Sequence, residues 1–139
     1  MSRFYLARAL SHAGMGDQYL QLLAPWKRMV GLGLTTWAES PEPTRSDSHA
    51  WSAHPNYDFL TIVAGIRPAD PEFKIIVIEP HLGNLHQVSA AMSHPNGLIE
   101  TEYKLVGSKM NVKISLPSGS SGNFVWQGRT SDLCRSTGI

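Results

Sequence analysis

The chain has 139 residues, room for one domain or two very small ones, and this leaves little scope for a second active domain. Twelve basic residues against 11 acidic ones leave a formal charge of +1, and the scatter of the basic residues predicts no nucleic-acid-binding face. The longest apolar runs, such as Lys74-Ile75-Ile76-Val77-Ile78 with its flanks, fall far short of the roughly 20 residues that a membrane span requires, so no membrane partner is expected.

The first residues mix Ala, Leu, Arg, Ser and His without an unbroken apolar core or a cleavage site, so no signal peptide is read and the compartment stays open. A helix is predicted from Phe4 to Ala13, stopping at Gly14. After a Gly-Met-Gly turn, a second helix is predicted with Asp17 at its N-cap. Its apolar face is Tyr19, Leu22, Leu23, Trp26, Met29 and Val30, and Pro25 should kink it because proline removes a backbone donor. The two should form an antiparallel hairpin.

From Gly33 to Pro55 the periodicity disappears, leaving a long polar loop with Pro41, Pro43 and Pro55, the kind of loop that usually carries function or is disordered. Asn56 to Gly65 returns to helix, with Tyr57, Leu60, Ile62, Val63 and Ala64 on its apolar side. Beyond Arg67-Pro68-Ala69-Asp70-Pro71 the period changes to two. Ile99, Thr101, Tyr103 and Leu105 alternate with polar neighbours, as do Met110, Val112, Ile114 and Leu116, with Gly107-Ser108 between them as a tight hairpin turn. Lys74 to Glu79 and Asn123 to Gln127 read as further strands, with a weaker one between Leu85 and Met92. The fold class is α+β, a helical lobe over 1–70 and an antiparallel β-sandwich lobe over 71–139.

The loop segment TRSDSHAWSAHP, residues 44–55, holds the candidate chemistry. Ser46, Asp47, Ser48 and His49 carry the residue types of a nucleophile triad, but adjacent residues seldom converge and no Gly-x-Ser-x-Gly elbow is present. His49 and His54 lack the spacing of a helical metal pair, and the lone Cys134 offers no thiolate cluster, so no metal or cofactor is expected. A carbohydrate surface fits the inventory better: Trp37 and Trp51 suit the apolar faces of a sugar, and His49, Arg45 and Asp47 suit its hydroxyls. Equally, the two tryptophans can serve only to anchor the loop on the helices.

Residues 33–39, Gly-Leu-Thr-Thr-Trp-Ala-Glu, followed by Pro43-Thr44-Arg45-Ser46-Asp47-Ser48-His49-Ala50-Trp51-Ser52-Ala53-His54-Pro55, resemble the late catalytic-domain segment of bacterial α-L-rhamnosidases, glycoside hydrolase family 78. The resemblance continues through Gly65-Ile66-Arg67-Pro68, the strand from Phe73 to Pro80, Pro95-Asn96-Gly97 and the hairpin, most of the chain in all. It implies the last helices of an incomplete (α/α)6 barrel followed by a C-terminal β-sandwich. It also implies inverting hydrolysis of terminal α-L-rhamnose, with Glu39 of the Thr-Thr-x-x-Glu pattern as the water-activating base, His49 on the sugar hydroxyls and Trp51 against the ring or beneath the loop. Ser48 stands where the family pattern usually has cysteine.

Inverting hydrolysis needs a second carboxyl about 6.5 to 9.5 Å from the base. Glu42, Asp47 and Asp58 are available, yet no motif nominates any of them, and nothing here corresponds to the family's general acid. The expectation is a C-terminal fragment of a rhamnosidase-like enzyme, inactive alone, that acts on a rhamnose-containing carbohydrate and either meets the rest of the enzyme in another chain or self-associates. The rival expectations are a non-catalytic carbohydrate-binding or assembly module, and a remnant reading frame.

Overall fold

The computed structural model describes residues 2–40 and 46–133. Pro41, Glu42, Pro43, Arg45 and Cys134 lie outside these described residues. The chain divides into two compact units, Met1–Phe59 and Leu60–Ile139. Its mixed content of helices and largely antiparallel sheet is that of an α+β chain.

In the first unit, helix α1 runs over Ser2–His12. A 3-10 helix, Gly16–Leu23, leads directly into α2, Ala24–Gly31. Pro25 does more than kink the expected helix. It falls in the first turn of α2, where its missing N–H is not needed, so the segment splits into a tight turn and a new helix. The residue at the N-cap of the 3-10 helix is Met15, and Asp17 lies inside its first turn. Tyr19, Leu23, Trp26 and Met29 are buried on one face as the spacing predicts, whereas Val30 is 61% exposed.

The end of α2 is closed by Leu34 N–H donating to Met29 O at 3.1 Å and Gly33 N–H donating to Val30 O at 2.9 Å. This double closure requires a left-handed residue, which Gly33 supplies at φ 76°. The chain is thereby reversed into the loop that carries the candidate site. A short 3-10 turn, Ala50–Ala53, follows, and α3, His54–Asp58, starts with Pro55 in its first turn. The predicted helix therefore begins inside the expected loop.

A π-helical turn, Phe59–Val63, starts at the last residue of the first unit, and its Ile62 and Val63, in the second unit, are buried. Its sheets are built from β1 Ile66–Pro68, β2 Ile75–Ile78, β3 Gln87–His94, β4 Gly97–Val106, β5 Lys109–Ser115, β6 Ser121–Trp126 and β7 Arg129–Leu133. One sheet has the order β1-β2-β6-β7 and the other β3-β4-β5. The predicted hairpin is present with Val106 opposite Lys109. Every pairing is antiparallel except β2 with β6, which run parallel with Ile75 opposite Ser121.

The core of this unit gathers Ala64, Ile66, Ile76, Ile78, Leu82, Ile99 and Tyr103, so both sheets contribute to one apolar interior. Tyr103, 1% exposed, is satisfied by donating its hydroxyl hydrogen to Ala64 O at 2.8 Å. Gly65, at φ 75°, stands where a Cβ would come within 2.1 Å of the Glu79 carbonyl group. Only glycine allows the chain to leave the π turn this close to the end of β2.

Candidate functional site

The candidate site lies wholly in the helical unit. The loop after α2 returns on itself, so that 36–39 runs beside 46–49. Glu39 N–H donates to Ser46 O at 2.9 Å, His49 N–H donates to Trp37 O at 2.7 Å, and the Thr36 hydroxyl donates to Asp47 O at 2.5 Å. These bonds satisfy backbone groups that no regular element would pair, and Ala38 between them is fully buried. The Trp26 indole N–H donates to Ser52 O at 2.7 Å and ties the 3-10 turn after the loop to α2.

Folded this way, the loop brings Glu39 and Ser40 to one wall of a cleft of about 530 Å³. Trp51 and His54 line it as well, together with Arg3 from α1 and Arg28 from α2. Trp51 is 45% exposed, with the Phe4 ring 5.6 Å and the Tyr5 ring 6.3 Å from its own, so its indole is partly packed and partly open to solvent.

The other sequence-predicted residues fall elsewhere. Trp37 lines a separate apolar pocket that shares Trp26 and includes Val30 and Phe59. His49 is half-buried behind its backbone bond to Trp37, and Asp47 is exposed; neither lines the Glu39 cleft. Arg45 is outside the described residues. Of the carboxyls weighed as acids, Asp58 is fully buried and Glu42 is outside the described residues.

Beneath the cleft lies a charged network that the sequence reading missed. His54 Nδ1 is 2.6 Å from Asp58 Oδ2, and the Arg8 guanidinium donates to Asp58 Oδ1. A carboxylate only accepts, so Nδ1 carries the proton in this pair. Nε2 is buried without a hydrogen-bond partner among the described residues. The signal was the i, i+4 spacing of His54 and Asp58, which puts both on one helical face. Arg8, fifty positions away in sequence, gave none. Arg8 also lies over the Tyr57 ring at 5.2 Å. Burial, and then the charge of Asp58, push the Tyr19 hydroxyl well above its ordinary range, while Arg8 pulls it the other way.

Among the described residues no group of three or more His, Cys, Asp or Glu is placed to hold a metal ion, and no helix is long and apolar enough to cross a membrane. Glu39, Trp51, Arg3 and Arg28 thus line the same cleft.

The family model for the bacterial alpha-L-rhamnosidase C-terminal domain matches residues 65–136. Three solved structures are similar. The alpha-L-rhamnosidase from Dictyoglumus thermophilum shares 23% identity with a TM-score of 0.79, over 89% of this chain and 15% of that one. A GH78 family rhamnosidase of Bacillus sp. GL1 shares 26% identity with a TM-score of 0.71, over 88% and 15%. The Streptomyces avermitilis alpha-L-rhamnosidase complexed with L-rhamnose shares 22% identity with a TM-score of 0.72, over 86% and 13%. The chain thus spans about one seventh of the length of these relatives. A comparison with curated protein sequences found no match.

Proposed function

The chain belongs to the bacterial α-L-rhamnosidase C-terminal domain family, and we propose from that premise that it contributes to inverting hydrolysis of terminal α-L-rhamnosides, with Glu39 as the base. The observation that carries this reading is that Glu39 and Trp51 line one cleft. A carboxylate there takes a proton from water as the water oxygen bonds to the anomeric carbon and the glycosidic bond breaks. Trp51 receives the apolar face of the sugar, and His49, Trp37, Arg45 and Asp47 belong to the surrounding loop that shapes its binding.

The general acid is supplied from outside these 139 residues. Asp58 is unsuited to that task, because both its oxygens are engaged by Arg8 and His54 in a buried pocket. The helical unit is the closing part of an (α/α)6 barrel and the second unit is a β-sandwich. Exposed Tyr5, Val30, Leu32 and Phe59 support the reading that further helices or a second copy cover the helical unit.

The test is to incubate the purified chain with an aryl α-L-rhamnoside and to titrate it with L-rhamnose by calorimetry. Binding without turnover is the expected result. Turnover that Glu39→Gln removes would overturn the outside supply of the acid, and absence of binding would remove the sugar site itself. The half-exposed Trp51 also favours a second reading, a carbohydrate-binding module in which Glu39 is incidental. Binding that survives Glu39→Gln and is lost in Trp51→Ala would favour the module.

A further inference from the structure

Two consecutive residues of the β unit stand in a conformation that side chains resist. Glu72 and Phe73, at φ 68° and 60°, are both left-handed without being glycine, and they turn the chain towards β2. Strain of this kind persists only where the surroundings hold it. Asp70 Oδ1 accepts from Ile75 N–H at 2.8 Å across the corner, and Phe73 O lies 2.8 Å from His94 Nε2. His94, the last residue of β3 and 8% exposed, is held at its second nitrogen too, where Asn96 N–H donates to Nδ1 at 3.1 Å. The Phe73 ring packs on the imidazole, with centroids 5.2 Å apart.

These two bonds place the hydrogen on the ring. A backbone N–H only donates, so Nδ1 presents a lone pair and Nε2 carries the hydrogen given to Phe73 O. An imidazolium would set an Nδ1–H against the Asn96 N–H. We propose that His94 is an acid-sensitive latch of the β unit, which closes the Pro95-Asn96 turn while its ring is neutral and releases that turn on taking up a proton. The Phe73 corner is its fixed end, since Nε2 donates in both forms. The charged groups on the elements packed against the ring are engaged or turned away. On the corner, Glu72 pairs with Lys74, and Asp70 holds Ile75 N–H. On β4, Ile99, Thr101 and Tyr103 take the buried side, whereas Glu100, Glu102 and Lys104 alternate outward. Residues 116–119 carry no charge. The release reaches further than the turn itself. Gly97 packs so closely that a Cβ there would be 3.3 Å from Pro117 Cβ, and Pro117 O accepts from Ser120 N–H at 3.2 Å, just before β6.

The experiment is nuclear magnetic resonance of the full chain from about pH 8 to pH 5, the range in which histidine side chains ordinarily change charge. The His94 ring nitrogens report both tautomer and protonation, and the Nε2–H form is expected at the upper end. As the ring takes up its proton, exchange protection of the Asn96 amide should fall about tenfold, the scale of one lost hydrogen bond. Protection of the Ile75 amide, held by Asp70, should stay as it was. In His94→Gln the acid step at Asn96 should vanish. A neutral ring with its hydrogen on Nδ1 would overturn the latch, as would an Asn96 amide that keeps its protection while the ring protonates. A step that persists in His94→Gln would assign it to another group, and equal losses at Asn96 and Ile75 would mean general acid unfolding; either result overturns the proposal. Should His94→Gln fail to fold, the ring and amide readings on the unsubstituted chain still decide.

Discussion

His54 and Asp58 face each other across one turn of helix at 2.6 Å, and the far oxygen of the same carboxylate is held by Arg8 from α1. One buried side chain thus joins the first helix of the unit to its last. Removing it leaves a buried imidazole and a guanidinium without their counter-charge. Asp58→Ala is expected to lower the stability of the helical unit by about 3 kcal/mol, the lower end for a broken buried pair, because Arg8 keeps about a third of its side chain in water. Urea denaturation followed by tryptophan fluorescence measures this. A change below about 1 kcal/mol would show that the network does not hold the helices.

The loop bearing Glu39 is anchored through Trp26. Trp26→Phe keeps the apolar ring and removes the indole donor to Ser52 O, so a loss of about 1 kcal/mol is expected. Faster amide hydrogen exchange confined to the loop and the Ala50–Ala53 turn would locate the loss.

Trp51 and Trp37 separate binding from folding. Trp51→Ala should weaken L-rhamnose binding about tenfold, the scale of one lost ring contact, with little change in unfolding midpoint. Trp37→Ala should do the reverse, because its ring sits in the apolar pocket with Val30 and Phe59. Calorimetry and thermal melts on both variants give the comparison, and matching effects on affinity would place both rings at the sugar.

Gly65→Ala should prevent the β unit from folding. Its added methyl would meet the Glu79 carbonyl group at 2.1 Å, a backbone contact that no rotamer change relieves. Gly107→Ala is the control, since that site also has positive φ, 61°, but open space, and should cost only about 1 kcal/mol. Far-ultraviolet circular dichroism of the two variants decides the matter.

Burial pushes the Tyr103 hydroxyl up to about 12. The folded state therefore keeps this proton while the unfolded chain releases it near 10. Below pH 10 the full contribution is present, and between pH 10 and 12 the unfolded state binds fewer protons, so stability falls as pH rises. Two units correspond to about 3 kcal/mol. Denaturation from pH 9 to 12 should show this decline in the β unit, and Tyr103→Phe should flatten it.

The legibility of the sequence followed how local each signal was. The β4–β5 hairpin could be read because Ile99, Thr101 and Tyr103 alternate with exposed residues and Gly107 closes the turn beside them. β1 was missed because Ile66-Arg67-Pro68 is three residues long and ends in proline. β7, Arg129–Leu133, is a polar edge strand with no alternation to find. In the site, Glu39 and Trp51 stood out through residue type and motif. The Arg8–Asp58 bond depends on where α1 lies, and Trp37 and Trp51 differ only in which side of the folded loop each ring occupies. Neither is written in spacing along the chain.

The parallel ladder between β2 and β6 sets an order of events during synthesis. Ile75–Ile78 must wait for Ser121–Trp126 to leave the ribosome before its free edge is paired, while the three-stranded sheet between them in sequence can zip from its own turns. Until then the run Ile-Ile-Val-Ile presents an open template for another nascent chain. A stop codon just before β6 would therefore leave that edge without its partner and favour aggregation of the truncated product.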